Sequence, residues 1–446
     1  MQKHFIKPNF PFNPAKSKVP YAWIILAVGS IGFLMSLPAQ TIGVSAFTDY
    51  LIKDFGITRD ELSLAYMLGT LLSGFIIGKA GKLYDIYGVR VIIIIASVML
   101  GIVLLFFTRL DDVGGYVMDT FPELSHAVVM IILCTAAFFM LRFFGQGVIT
   151  LVSRNMVMKW FEKRRGLANG IMGVIIAAGF PMAPLIFDAG ISSAGWRETW
   201  ITTAIFIGLG FSVFALMFFR DNPRQCNCTT DGTDRIIDVK AGKKPAAEND
   251  FTRKQAVKTY SFWIFNLAIA LGAMIITAFT FHIVSVFESA NMGRDTAMSV
   301  FFPAAAISFV INFGGSWLSD FIKLKYLLIA ELAGLILAMT ALMLLDTTGI
   351  TYYLFIIGYG ISNGLFGALS AVTWPRFFGV KHLGSIAGFA HGWTVAASAL
   401  GPFLFSLSFI HTGNYTLSAG ICGGIALVLL IMAIKANNIN RESHQQ

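Results

Sequence analysis

Gly81-Lys-Leu-Tyr-Asp85-Ile-Tyr-Gly88-Val-Arg90 separates two long apolar runs, 62–80 and 90–108. Each run is close to the roughly 20 apolar residues that a helix needs to cross a hydrocarbon core. The stretch between them is charged and too short for anything but a tight connection. The two runs are therefore expected as consecutive spans. A degenerate copy, Gly315-Ser-Trp-Leu-Ser-Asp320, follows an apolar run in the second half of the chain. Two copies at corresponding places point to an internal repeat.

Working outward in both directions gives further runs of membrane length at 21–47, 126–150, 167–188 and 198–219. After a polar interval come 260–286, 296–318, 326–345, 351–374, 383–408 and 416–435. The expected fold is therefore an all-α membrane protein of twelve transmembrane helices in two pseudo-symmetric six-helix bundles. Its parts are a tail over 1–20, a bundle over 21–219, a linker over 220–258, a second bundle over 259–436 and a tail over 437–446. The linker is rich in charge and carries Pro223, Pro245 and several glycines, as a flexible connection should. Composition agrees: 56% of the 446 residues are hydrophobic and 13% charged, against about 25% charged in a soluble domain. Such a chain cannot cover itself with a polar surface, so lipid is its solvent. The first apolar run is too long for the core of a cleavable signal peptide.

The net charge of +9 is distributed in a way that excludes nucleic acid as its explanation. Twenty-seven of the 33 Lys and Arg fall in the tails, the linker and every second loop; five fall in the alternate loops. By the positive-inside rule both termini and the linker are cytoplasmic, with the basic residues facing anionic lipid. Arg142 alone remains inside a run. Among the acids only Glu331 is well inside one, near the cytoplasmic end and within reach of a partner such as Lys325. Ionisable groups in hydrocarbon are costly and face a cavity or a partner. The four cysteines make neither a disulfide framework nor a metal site; Cys226 and Cys228 form an isolated CxC.

The stretch from Gly81 to Arg90, with its copy ending at Asp320, resembles the loop signature of the major facilitator superfamily. In that signature Gly81 and Gly88 would permit the turn. Asp85 would cap a helix N-terminus or pair with a basic residue, latching the cytoplasmic face, with Arg90 beside it in the signature. Arg142-Phe-Phe-Gly145-Gln-Gly147 is similar to the superfamily's fourth-span motif, Trp160 to Gly170 to its following loop, and Gly173 to Pro184 to its fifth-span glycine–proline motif. Phe262-Trp-Ile-Phe, His282, and Trp374-Pro-Arg-Phe-Phe-Gly379 with His382-Leu-Gly384 resemble the oxalate–formate and monocarboxylate carriers.

That resemblance implies a central cavity lined by the first, fourth, seventh and tenth spans. Arg142 and Gln146, four apart, share a helix face and would make a fork for a carboxylate. A second role for Arg142, holding a carbonyl or polar group of the first span, is equally open. Pro38, Gln40, Thr41 and Ser45 break the first run with polar groups, suited to a gate or a binding surface. Thr277, Thr280 and His282 on the seventh run, and Tyr359 and Asn363 on the tenth, offer donors for a substrate or for neighbouring helices. His282 and His391 are either proton sites in the working pH range or satisfied interface histidines. The carboxylate carriers place a cation on the eighth or eleventh span, where here only His391 is available, so a monoanion or a neutral polar solute is expected over a dianion.

The leading expectation is a secondary transporter for a small monocarboxylate-type anion, proton-coupled and working by alternating access. A proton-coupled drug or metabolite efflux antiporter is the alternative, though its usual cavity carboxylate would have to be Asp49, at the outer rim. A transporter-like sensor is a third class. No constellation of nucleophile and base, metal ligands or phosphate loop marks an enzyme. The partners expected are a small-molecule substrate, protons and the lipid bilayer of a bacterial inner membrane. No cofactor or metal and a monomeric state are expected.

Overall fold

The structure, a computed structural model, describes residues 6–231, 250–345 and 349–436. Residues 232–249 of the expected linker, with Lys3 and Arg441 in the tails, lie outside the described residues. Twelve helices are long and apolar enough to cross a membrane: α1 Tyr21–Ala39, α2 Arg59–Tyr87, α3 Val89–Phe107, α4 His126–Trp160, α5 Arg165–Ala194, α6 Trp196–Phe218, α7 Tyr260–Ser289, α8 Arg294–Ser319, α9 Leu324–Met343, α10 Ile350–Phe378, α11 Leu383–Thr412 and α12 Thr416–Ala433. No strand occurs among the described residues. Large apolar side chains stand on the surface, Phe302 at 85% and Phe75 at 76% exposed; only lipid makes that surface tolerable.

Hydropathy marks the apolar length of a helix, and the backbone continues beyond it. α2 starts at a capping box between Thr58 and Glu61 and runs through to Tyr87. Gly81 therefore sits buried within the helix, and the turn is Gly88 alone, at φ +82°. α4 runs to Trp160, ten residues past its expected end, so Arg154 and Lys159 lie on the helix. α1 is interrupted as expected: regular helix stops at Leu34, Pro38 lies in a 3-10 turn, Leu37–Ala39, and Gln40 is extended. Two amphipathic helices not anticipated from the sequence, Thr48–Phe55 and Leu110–Thr120, lie between the spans.

By contacts the described chain forms two compact units. The first holds α1 to α4, α5 from Ile175, α6 and Ala387–Gly392 of α11; the second holds Glu162–Val174, α7 to α10, the rest of α11 and α12.

In the first unit small residues let helices approach closely, as membrane packing requires. A methyl group on Gly101 of α3 would stand 2.8 Å from the Ala204 carbonyl of α6. Phe47, Phe107, Phe138 and Trp200 form an aromatic core with ring centroids 4.7–5.1 Å apart. Arg197 ties Asp54 to Asp111 at one end. At the other, Lys159 pairs with Asp221 at 3.3 Å over the ring of Tyr84. The segment before α1 is held by two buried arginines. Arg90 donates to the carbonyls of Phe219 (2.6 Å), Lys7 (3.1 Å) and Pro8 (3.1 Å). Arg220 reaches the Phe12 carbonyl at 3.4 Å and lies over its ring.

In the second unit α9 and α10 touch through Gly334 and Gly358, and Gly360 and Gly364 seat α8 against α10. Phe262, Phe265, Trp374 and Phe377 lock α7 to α10.

Candidate functional site

The break in α1 frees backbone carbonyls that a continuous helix would consume. One of them, on Ala39, accepts a 2.9 Å hydrogen bond from Nη1 of Arg142. Arg142 is 4% exposed, and its guanidinium lies 5.1 Å from the centroid of the Tyr66 ring of α2. The Tyr66 hydroxyl shares a 2.8 Å hydrogen bond with Thr41, just past the break. Gly145 makes the approach possible, since any side chain there would overlap Ala39. A guanidinium, a phenol and a threonine hydroxyl are thereby gathered from α4, α2 and the segment after α1. Gln40 instead donates from Nε2 to Ser36 at 2.9 Å, within the break itself.

Arg142 opens a π-helical segment, Arg142–Ile149, a local widening often found at functional sites. Gln146 lies in it; its carbonyl accepts the Thr150 hydroxyl and its amide side chain makes no hydrogen bond among the described residues. Among the described residues no carboxylate pairs with Arg142, and its Nε has no acceptor. His391 belongs to the part of α11 that packs in this same unit. It lies within electrostatic reach of Arg154 and Arg142, and its Nε2 is buried without a partner. The site is thus cationic and short of acceptors.

The other candidates have separate places. In the second unit Tyr359 is buried between Phe279 and Phe355 and shares a 3.3 Å hydrogen bond with Thr280. Asn363, four residues on, makes no hydrogen bond among the described residues. His282 bonds from Nε2 to the Pro402 carbonyl at 2.9 Å and from Nδ1 to the Tyr415 hydroxyl at 3.3 Å; both ring nitrogens are engaged. Asp320 caps the start of α5: its carboxylate accepts the amides of Gly166 (2.7 Å) and Leu167 (3.0 Å). Asp85 has interaction partners and lies within electrostatic reach of Lys159, whereas Arg90 is committed to backbone carbonyls. Glu331 does not meet Lys325, which donates to the Ile434 carbonyl at 3.3 Å; helix geometry turns the two apart. Tyr66 was not singled out in the sequence, where an aromatic in an apolar run carries no distinguishing signal.

The sequence profile of the Major Facilitator Superfamily matches residues 28–402, and the chain belongs to that superfamily. It is an integral, multi-pass membrane transporter, like its relatives, which are transporters and not enzymes. A Bacillus subtilis relative, the uncharacterised transporter YcxA, is 23% identical over 295 residues, 64% of this chain and 68% of that protein. Among solved structures, the proton:xylose symporter XylE superposes with a TM-score of 0.64 at 14% identity, covering 93% of this chain and 95% of XylE. The Escherichia coli fucose:proton symporter FucP gives 0.65 at 12% identity, covering 94% and 100%. The human organic anion transporter MFSD10 gives 0.60 at 13%, covering 92% and 99%.

Proposed function

We propose that the protein is a secondary active transporter of a small organic monoanion of the monocarboxylate type, coupled to protons, in a bacterial inner membrane with both termini cytoplasmic. One observation carries the reading: Arg142 is a buried guanidinium with no carboxylate partner among the described residues and one nitrogen without an acceptor. A buried charge without its counter-ion is costly. A carboxylate ligand supplies that counter-ion, and guanidinium binds it in a fork. Tyr66 and Thr41 add hydroxyl donors beside it. The efflux alternative lacks its anion, because Asp49 is committed to Arg59 at an exposed site.

The test is thermal stabilisation of the purified protein by acetate, lactate and benzoate, with xylose, fucose and tetraphenylphosphonium as comparisons. A bound ligand at 100 times its Kd stabilises by about 2.7 kcal/mol. A carboxylate is expected to raise the melting temperature of the wild type and to leave Arg142→Lys unmoved, since an ammonium cannot hold Ala39 and present a planar fork together. Equal shifts in both proteins, or a shift from the sugars or the cation alone, overturn the anion site. The coupling part is read separately: a protonophore should abolish carboxylate uptake into proteoliposomes driven by a pH gradient, and unchanged uptake removes it.

A further inference from the structure

Glu331 is fully buried on α9, seven residues past Leu324 and therefore about 10 Å along the helix. It faces α7 and α10: a methyl group placed on Gly272 would stand 3.1 Å from Oε1 and 3.7 Å from the ring of Phe366. Among the described residues neither carboxyl oxygen has a hydrogen-bond partner or an ion-pairing cation. The cations of the surrounding helices are occupied or remote. Lys325 on α9 bonds Ile434, His282 on α7 bonds Pro402 and Tyr415, and Arg376 on α10 bonds the Ser319 carbonyl. Arg294 is in the first turn of α8. The remaining ionisable groups of these helices are Glu288 and Tyr260 of α7, Asp295 of α8, Tyr326 of α9, Tyr352, Tyr353 and Tyr359 of α10 and Cys422 of α12, and none bonds to it.

Two more side chains in this unit are buried with a polar group unpartnered, Asn266 on α7 and Thr373 on α10. Helices α7, α9 and α10 pack on one another. The Glu331 carboxyl meets α7 at Gly272, six residues further along that helix than Asn266, so it is isolated from the other two. An ionised, unpaired carboxylate in that apolar surrounding would be costly, and such a group stays neutral instead.

We propose that Glu331 is a proton-binding site, a neutral carboxylic acid while Gly272 of α7 packs across it, which gives up its proton when that contact opens. Release breaks the O–H bond heterolytically, passing the proton to entering water and leaving the electron pair on the carboxylate. The site bears on the coupling half of the function proposed above and needs nothing from Arg142.

The experiment is infrared spectroscopy of the full chain in phosphatidylethanolamine–phosphatidylglycerol vesicles, titrated from mildly acidic to alkaline pH without substrate. A carboxylic-acid C=O band is expected at neutral pH. It should shift when glutamate is labelled with carbon-13, fade at alkaline pH and be missing in Glu331→Gln. The proposal is overturned if the wild type has no such band at neutral pH, if the band ignores the glutamate label, or if it persists in Glu331→Gln. Should Glu331→Gln fail to accumulate, the labelled wild type alone decides. Arg142→Lys should keep the band, so a failed anion screen and a failed proton site give different results.

Discussion

Arg142 and Lys159 are both buried cations on α4, and they are balanced in different ways. Lys159 has Asp221, with side-chain exposures of 7% and 10%, while Arg142 has a backbone carbonyl and an aromatic face. Breaking a buried ion pair from one side typically costs about 3–5 kcal/mol, whereas replacing both partners with apolar groups is close to neutral. Lys159→Met should therefore depress the melting temperature sharply, and adding Asp221→Leu should restore most of it; an equally unstable double variant would show that other contacts dominate. At the other cation, Tyr66→Phe keeps the ring and loses the bond to Thr41, a change of about 1 kcal/mol in stability. Tyr66→Leu also removes the cation–π contact and should cost more in the same melting assay. A lone charge in an apolar run made Arg142 legible in the sequence. Its partners were not, because Ala39 and Tyr66 reach it only through the packing of three helices.

Among the elements, α5 shows how a helix end is fixed by a residue far away in sequence. The amides of its first turn are unsatisfied within the helix, and Asp320 accepts two of them. Gly166 lets the turn come so close to the Ser316 carbonyl that no side chain fits between. Asp320→Asn keeps an acceptor and loses the charge at the helix N-terminus, worth about 0.3–1 kcal/mol. Gly166→Ala forces the two backbones apart, at about 1–3 kcal/mol. The melting temperature and protease sensitivity around Phe161–Arg164 should accordingly rank Gly166→Ala as the worse variant; the reverse order would make the cap, and not the close approach, the dominant contact. Element ends were the least legible feature. Lys82 and Asp85 lower the hydropathy of α2, as Arg154 and Lys159 do for α4, without interrupting the backbone hydrogen bonds. The interruption of α1 was legible because proline and a run of polar residues coincide there.

For the whole molecule, composition already decided the solvent: a chain this apolar has to meet lipid, and the exposed Phe302 and Phe75 show where. What composition could not reveal is which polar groups the interior isolates, since Glu331 and Lys325 look like natural partners until the helix turns them apart. The same interior governs thiol chemistry. Burial pushes the Cys226 thiol from its ordinary value of 9.0 up to about 12 and Cys228 to about 11. The thiolate is the reactive form, so its fraction at mildly alkaline pH falls by roughly a hundred- to a thousand-fold for shifts of two and three units. Iodoacetamide should label neither in the folded protein, and all four cysteines after unfolding in detergent; rapid native labelling of either would contradict the burial.

The segment held by Arg90 and Arg220 has a consequence for how the chain is made. Residues 7–12 leave the ribosome well before their partners, and the carbonyls they offer wait for a guanidinium at position 90 and another at position 220. At about 5–20 residues per second, the second clasp cannot close until roughly 10–40 seconds after residues 7–12 emerge. Until then Arg90 alone can hold residues 7–12, and the completion of α6 is the event that lets Arg220 tie down Phe12.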